Sequence, residues 1–334
     1  MQIAHQIRRT LAAALTAVTV TSLSAFAAGH AVASNWPEGK PVRLVAVFPP
    51  GGSVDQVSRV LAERLQKNLG GQFIVDNRGG ASGSIGTAFV AKAEADGHTL
   101  AVVFDTHAVN PSLIPGLPFD TLKDLVPITL IGTGGMAIVA HPSTPFKDFK
   151  DLLASAKAKP DSISYGSIGS GSLGHLAMIQ VASDLKISWT HIPYKGGGPL
   201  KTDILAGHVP VAIGSVFLMN PMVQAGQVRA LAVTSAKADP QMKGVKTVSE
   251  QGVPGFEAYS WWGVFGPAAI PKATIAKIHA EIAKVLKDPE VKSKLEVQGM
   301  DVLGQGPEQL DKFNRAQVDR WGRIVRQNKI SAGS

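Results

Sequence analysis

Residues 43–69 read as a strand, a proline–glycine turn and a helix, and this unit recurs along the chain. Leu44–Phe48 is a short apolar run of the kind that makes a buried parallel strand. Pro49 and Pro50 end it, because neither has an N–H for a sheet ladder. Gly51 and Gly52 then allow a sharp turn and a close approach of ligand to backbone. Ser53 is placed to cap a helix and Asp55 suits its first turn, with Val57, Val60, Leu61 and Leu65 at helical spacing. A strand that feeds a glycine turn and a helix N-terminus presents N–H groups suited to an anion such as a carboxylate. A plain tight connection is the competing reading, and the recurrence of the design weighs against it.

Gln72–Asp76 is a second strand, and residues 77–86 form a second glycine-rich turn before a helical run over Thr87–Ala93. Leu100–Phe104 is a third strand, with Asp105, Thr106 and His107 at its end, where a parallel sheet places its binding loops. Val126–Leu130 and Met136–Ala140 read as strands separated by a Gly132–Gly135 turn that crosses into a second domain. There the pattern repeats. Ser162–Ser167 leads to Gly169–His175 and a helix, and Trp189–Tyr194 leads to Lys195–Pro199 and another. Val209–Ile213 ends at Gly214–Ser215, and Val228–Val233 closes this half. Phe256–Phe265 is the return crossover, followed by helices marked by Ile275–Leu286 and Leu310–Ile324. Alternating strands and helices predict an α/β fold with parallel sheets.

The first 33 residues have the form of a secretory signal. Arg8 and Arg9 supply the positive region, 11–28 the apolar core, and Ala31-Val32-Ala33 a small-x-small cleavage site, with Ala25-Phe26-Ala27 as a second candidate. A membrane anchor is the competing reading, but the apolar core is short and rich in Thr and Ser. Removing this leader takes the formal charge from +8 to +6. No dense Lys/Arg tract accompanies that charge, so nucleic acid is not an expected partner. The absence of cysteine excludes disulfides, thiolate metal sites and a cysteine nucleophile.

Gly169-Ser-Gly-Ser-Leu-Gly174 matches G-x-G-x-x-G between a strand and a helix. The acidic residue that a ribose requires is missing, since the next strand ends at Tyr194-Lys195. A small anion therefore suits these glycines and serines better than a dinucleotide. No serine sits in G-x-S-x-G, and the nine histidines lack metal-ligand spacing. His175 reads as a structural histidine, Asp203 as a structural pairing partner, and Trp261–Trp262 as interdomain packing with one ring available to a cleft.

Phe48–Gly52 with Asp55, Asn77-Arg78, Ser167–His175, Ile192–Gly196, Ala230–Ser235 and Trp261–Pro267 together resemble the Bug/TctC family, periplasmic solute-binding receptors of tripartite tricarboxylate transporters. The resemblance runs in order over nearly the whole chain after the leader. It implies a type II periplasmic-binding fold, with two α/β lobes joined by crossover strands around a ligand cleft. The expected lobes are 34–134 with 256–334, and 135–255, after a signal peptide at 1–33. The implied function is capture of a small carboxylate (dicarboxylate, tricarboxylate, aromatic acid or acidic amino acid) and its delivery to membrane permease subunits, by a periplasmic monomer. No catalysis, cofactor or metal is expected; an exported hydrolase or isomerase in the same cleft is the alternative, and a dehydrogenase a third.

By position, the clamp loops of the family correspond to Phe48, Pro49, Gly51 and Gly52, to Ala81, Ser82, Gly83 and Ser84, and opposite them to Ser170, Gly171 and Ser172. Thr106, Tyr194 and Ser215 complete the candidate ligand-binding set. The chain departs from the family at Gly79, often proline, at Ser82, often glycine, and at Pro210, usually acidic.

Overall fold

The computed structural model describes residues 35–328 and residue 330; the proposed signal peptide lies outside them. In chain order the elements begin with β1 (Val42–Ala46), α1 (Ser53–Leu69), β2 (Phe73–Asn77), α2 (Ser84–Ala91), β3 (Thr99–Phe104) and α3 (Thr106–Leu113). The long strand β4 (Leu125–Ala140) follows. Then come α4 (Phe149–Ala158), β5 (Ser164–Ser167), α5 (Leu173–Leu185), β6 (Thr190–Pro193), α6 (Gly197–Ala206), β7 (Val211–Ser215), α7 (Val216–Gln224) and β8 (Arg229–Val233). The chain returns through β9 (Tyr259–Pro267), α8 (Lys272–Lys287), α9 (Pro289–Glu296), β10 (Asp301–Gln305) and α10 (Pro307–Gln327).

The strands run β2-β1-β3-β9-β4-β7-β5-β6, with β8 and β10 also pairing to β4. β1 is parallel to β2 and β3, and β5 is parallel to β6 and β7, as the alternating pattern predicts. The middle is mixed rather than wholly parallel, because β9 runs antiparallel to β3 and to β4, and β7, β8 and β10 run antiparallel to β4. The return strand β9 lies between β3 and β4 and runs opposite to both.

β4 is one continuous strand, not two strands around a turn. Its first part pairs with β9 and β10, and its last five residues pair with β7 and β8. The glycines that read as a turn have another cause: a Cβ at Gly132 would lie 2.4 Å from the Asp301 carbonyl oxygen, and one at Gly134 2.6 Å from that of Gly299. Glycine here lets a neighbouring backbone press against the strand without bending it.

Leu44, Leu61, Leu100, Phe104 and Ile278 pack in the core around β1 and β3. Phe149, Leu176 and Ile213 anchor a second core, and Leu200, Ile204 and Met219 a third against the other side of β4 and β7. Helix α10 places Leu310 in the first core and Trp321 and Val325 in the second, so it ties the halves together. Trp261 and Trp262 are both fully buried, so neither ring lines a cleft. Adjacent strand residues point to opposite faces: Trp261 meets His107 and Phe313, and Trp262 meets Phe104 and Phe217. Both faces of the strand are covered.

Candidate functional site

Loops from the two halves meet over a cavity of 740 Å³. Phe48–Pro50, Asn77, Gly79–Ser82 and Ile85 line it from one side, and Ile168–Ser170 and Pro193–Lys195 from the other. Among the predicted residues, Phe48, Pro49, Ala81, Ser82, Ser170 and Tyr194 border it. Phe48, Gly52 and Ser215 also border a narrow gap deeper between the halves. The remaining predicted residues have other places. Ser84 and Thr106 are buried at the starts of α2 and α3, and Gly83 is buried in a left-handed turn. Ser172 is fully buried and caps α5, accepting from the His175 amide.

Several groups expected to face a ligand are engaged inside the protein. The Gly51 amide donates to Asp55 Oδ2 at 2.9 Å, and the Gly171 amide donates to His175 Nδ1 at 2.9 Å. The Tyr194 hydroxyl donates to Asp203 at 2.9 Å, which leaves the ring to the cavity. Gly52, not Ser53, occupies the N-cap of α1, and Ser53 Oγ accepts from Trp262 Nε1. Asp55 also pairs with Arg59 at 3.0 Å. Buried burdens raise its pKa while Arg59 and the Gly51 amide lower it, and the net shift is downward.

Backbone meets backbone across the cleft. A Cβ at Gly198 would lie 2.3 Å from the Pro50 carbonyl oxygen, so the two loops touch only because glycine is there. Ser82, left-handed at φ 52, donates its hydroxyl to the Ser170 carbonyl at 3.0 Å. Asn110 Nδ2 donates to the Ser82 carbonyl at 3.0 Å and steadies this turn. The serine that departs from the family's glycine thus bridges the halves.

Beneath the 169–172 loop, His175 and His191 stack at 3.8 Å. His191 Nε2 lies 2.8 Å from Ser167 Oγ, a nucleophile–base distance, yet Ser167 is fully buried and also donates to the Gly169 carbonyl. The pair holds the loop in place. Burial lowers the His175 pKa to about 4, and burial with the neighbouring His175 lowers that of His191 to about 3. Burial likewise lowers His107 to about 3, and it pushes the Asp105 carboxyl up to about 7. Asp105 feels Ser260 and the Leu173 and Thr106 amides, although none meets hydrogen-bond geometry.

These shifts set a pH dependence. Between about pH 4 and 6.5 each histidine binds a proton when unfolded but not when folded, so its stabilisation is lost as pH falls. Asp105 acts oppositely, holding its proton in the fold between about pH 4 and 7. Three histidines outweigh one carboxyl. Stability is expected to drop by on the order of 3 kcal/mol from pH 6.5 to 5, read as a lower urea midpoint. A midpoint unchanged across that range contradicts the burial of these rings as neutral bases.

Sequence reasoning missed Asn77, Ile85, Ile168 and Lys195, all on the cavity wall. Lys195 follows Tyr194 directly at the end of β6, where strand ends carry binding groups, and that position was the available signal. Among the described residues no cluster of acids and histidines suited to a metal is present, and no helix is long and apolar enough to cross a membrane.

The sequence profile described as "Tripartite tricarboxylate transporter family receptor" matches residues 57–330. The chain belongs to this family. Protein BugT of Bordetella pertussis is 34% identical over 292 residues, covering 86% of this chain and 89% of BugT. Rpa4515 of R. palustris, solved with adipate, superposes with a TM-score of 0.85 at 31% identity, covering 89% of this chain and 99% of that one. MatC (Rpa3494) of Rhodopseudomonas palustris, solved with bound malate, has a TM-score of 0.81 at 28% identity, covering 86% and 99%. The TctC family is one of periplasmic solute-binding receptors rather than enzymes, and its two-lobe fold is the fold of this chain.

Proposed function

We propose that this chain is an exported receptor that traps a small carboxylate between two lobes and hands it to the permease subunits of a tripartite tricarboxylate-type transporter. One observation carries the reading: loops of both halves line a shared cavity of 740 Å³ whose lining includes no acidic side chain and one cation, Lys195. The adipate and malate held by the two solved relatives support an acid as ligand. The leader at 1–33 would direct the protein to the periplasm, where it works as a monomer. Lobe 1 comprises 34–134 and 256–334 and lobe 2 comprises 135–255, with α10 packed on both.

Ala81, Ser82 and Ser170 border the cavity; the Ala81–Ser82 turn offers main-chain amides to the acid, and bridging water extends the reach of these loops. Each hydrogen bond to a charged group contributes about 1.5–3 kcal/mol net, so several give the ~8 kcal/mol of micromolar binding after ordering costs. Closure pivots on β4 and β9, the two strands that run between the halves, and the ligand shifts that equilibrium toward the touching loops.

The test is a melting-temperature screen against di- and tricarboxylates, amino acids and aromatic acids. A micromolar ligand at millimolar concentration is expected to raise the melting temperature by on the order of 5–10 °C without being altered. No shift across the panel, or turnover of any acid or ester, contradicts the receptor reading.

A further inference from the structure

Asp105 lies where the two halves meet, outside the cavity, and is 1% exposed at the N-cap of α3. Phe104, just before it, borders the narrow gap between the halves, with Gly197, Ser215 and Leu218 across from it. Among the described residues neither Asp105 oxygen has a hydrogen-bond partner. The same holds for Ser260 Oγ, fully buried on β9. The groups that act on the carboxyl are Ser260, the Leu173 amide at the start of α5 and the Thr106 amide at the start of α3. The loop before α5 lies on α3, since a Cβ at Gly171 would run into Leu113. No charged side chain acts on Asp105. β3 and β4 carry no titratable group. His107 on α3 faces Trp261 and Phe265, His175 on α5 accepts from the Gly171 amide, and Tyr259 on β9 accepts from the Ala236 amide. On α10, which packs on α3, Asp311 pairs with Arg315 and Arg320 lies over Trp321. A dehydrated, unpaired carboxylate is costly, whereas a protonated carboxyl is a neutral group.

We propose that Asp105 is a positioning residue that couples one proton to closure: the halves close with its carboxyl neutral against α5 and part with it ionised. This rests on the receptor reading above. Parting the halves moves α5 away and lets water reach Asp105 along the gap beside Phe104. Burial holds the closed carboxyl at about 7, and hydration returns it to the ordinary carboxylate range near ~4. Closing therefore takes up a proton, and affinity rises as pH falls. The buried histidines do not mimic this. His175 and His191 stack within one half, and His107 packs within the other. A histidine buried by closure would release a proton, the opposite sign.

Calorimetric titration of the purified full chain with adipate and with malate, at pH 6, 7 and 8 in buffers of different ionisation enthalpy, counts the protons. Uptake of about 0.9 proton per ligand is expected at pH 6 and about 0.1 at pH 8, with affinity about tenfold higher at pH 6. Asp105→Asn stands for the neutral acid. It is expected to lose the uptake, to bind at least as tightly as the parent does at pH 6, and to vary less than about twofold over the range. A merely structural Asp105 would instead give a variant weakened equally at every pH. Ser260→Ala keeps the carboxyl and removes a hydroxyl that lowers its pKa, so uptake is expected to persist to higher pH. Binding without proton uptake at pH 6 overturns the coupling and leaves the receptor reading standing. So does uptake unchanged in Asp105→Asn, or a Ser260→Ala profile identical to the parent's. If neither acid binds, the coupling falls and the melting-temperature screen decides the receptor reading.

Discussion

Gly198→Ala is expected to leave the ligand-free protein folded and to weaken carboxylate binding by about ten- to hundredfold. Gly198 sits in the first turn of α6, at no left-handed φ, so alanine there suits the helix. The added Cβ would meet the Pro50 carbonyl oxygen at 2.3 Å, and that oxygen belongs to the loop across the cleft. Neither partner is a flexible side-chain end, so the halves must part to relieve the overlap. Parting them separates Ser82 from Ser170 and loosens the loops on either side of the cavity. Losing one charge-assisted bond to the ligand costs about 1.5–3 kcal/mol, and every 1.4 kcal/mol is about tenfold in affinity. Calorimetry with the tightest acid of the screen reads the loss. An unchanged affinity would mean that contact between these loops is no part of binding.

Gly132→Val is expected to destabilise the protein by about 3 kcal/mol, a value at the upper end for overpacking a close contact. The first atom of the new side chain would fall 2.4 Å from the Asp301 carbonyl oxygen and 2.8 Å from the Met300 side chain. β10 pairs with β4 at this point, with Val302 opposite Gly132, so the strand would be pushed off its ladder. Urea unfolding measures the loss. A variant as stable as the parent would restore the view that Gly132 marks a turn.

The two predictions come from glycines that the sequence read in one way and the fold uses in another. A strand, a glycine turn and a helix are local patterns, and β1, β2, β3, β5, β6 and β7 lie close to where the apolar runs place them. Which neighbour a glycine admits is not local. Gly132 faces Met300 and Asp301, and Gly198 faces Pro50, separations that no short window contains. The same distance hid the double burial of Trp261 and Trp262, because β9 becomes central only once β3 and β4 flank it. The loops of the site were legible as loops. Their donors were not, since the commitment of the Gly51 amide to Asp55 and of the Gly171 amide to His175 depends on side-chain geometry. Ile85 was hidden by its glycine- and serine-rich surroundings, and its exposure is what singles it out.

Native mass spectrometry of the chain purified gently from cells, with the released molecule identified, addresses the central claim most directly. One carboxylic acid per chain is expected, retained by the parent and largely lost from Gly198→Ala. A captured molecule without an acidic group, or an acid held equally well by both proteins, would show that the space between the loops is not where this chain takes its solute.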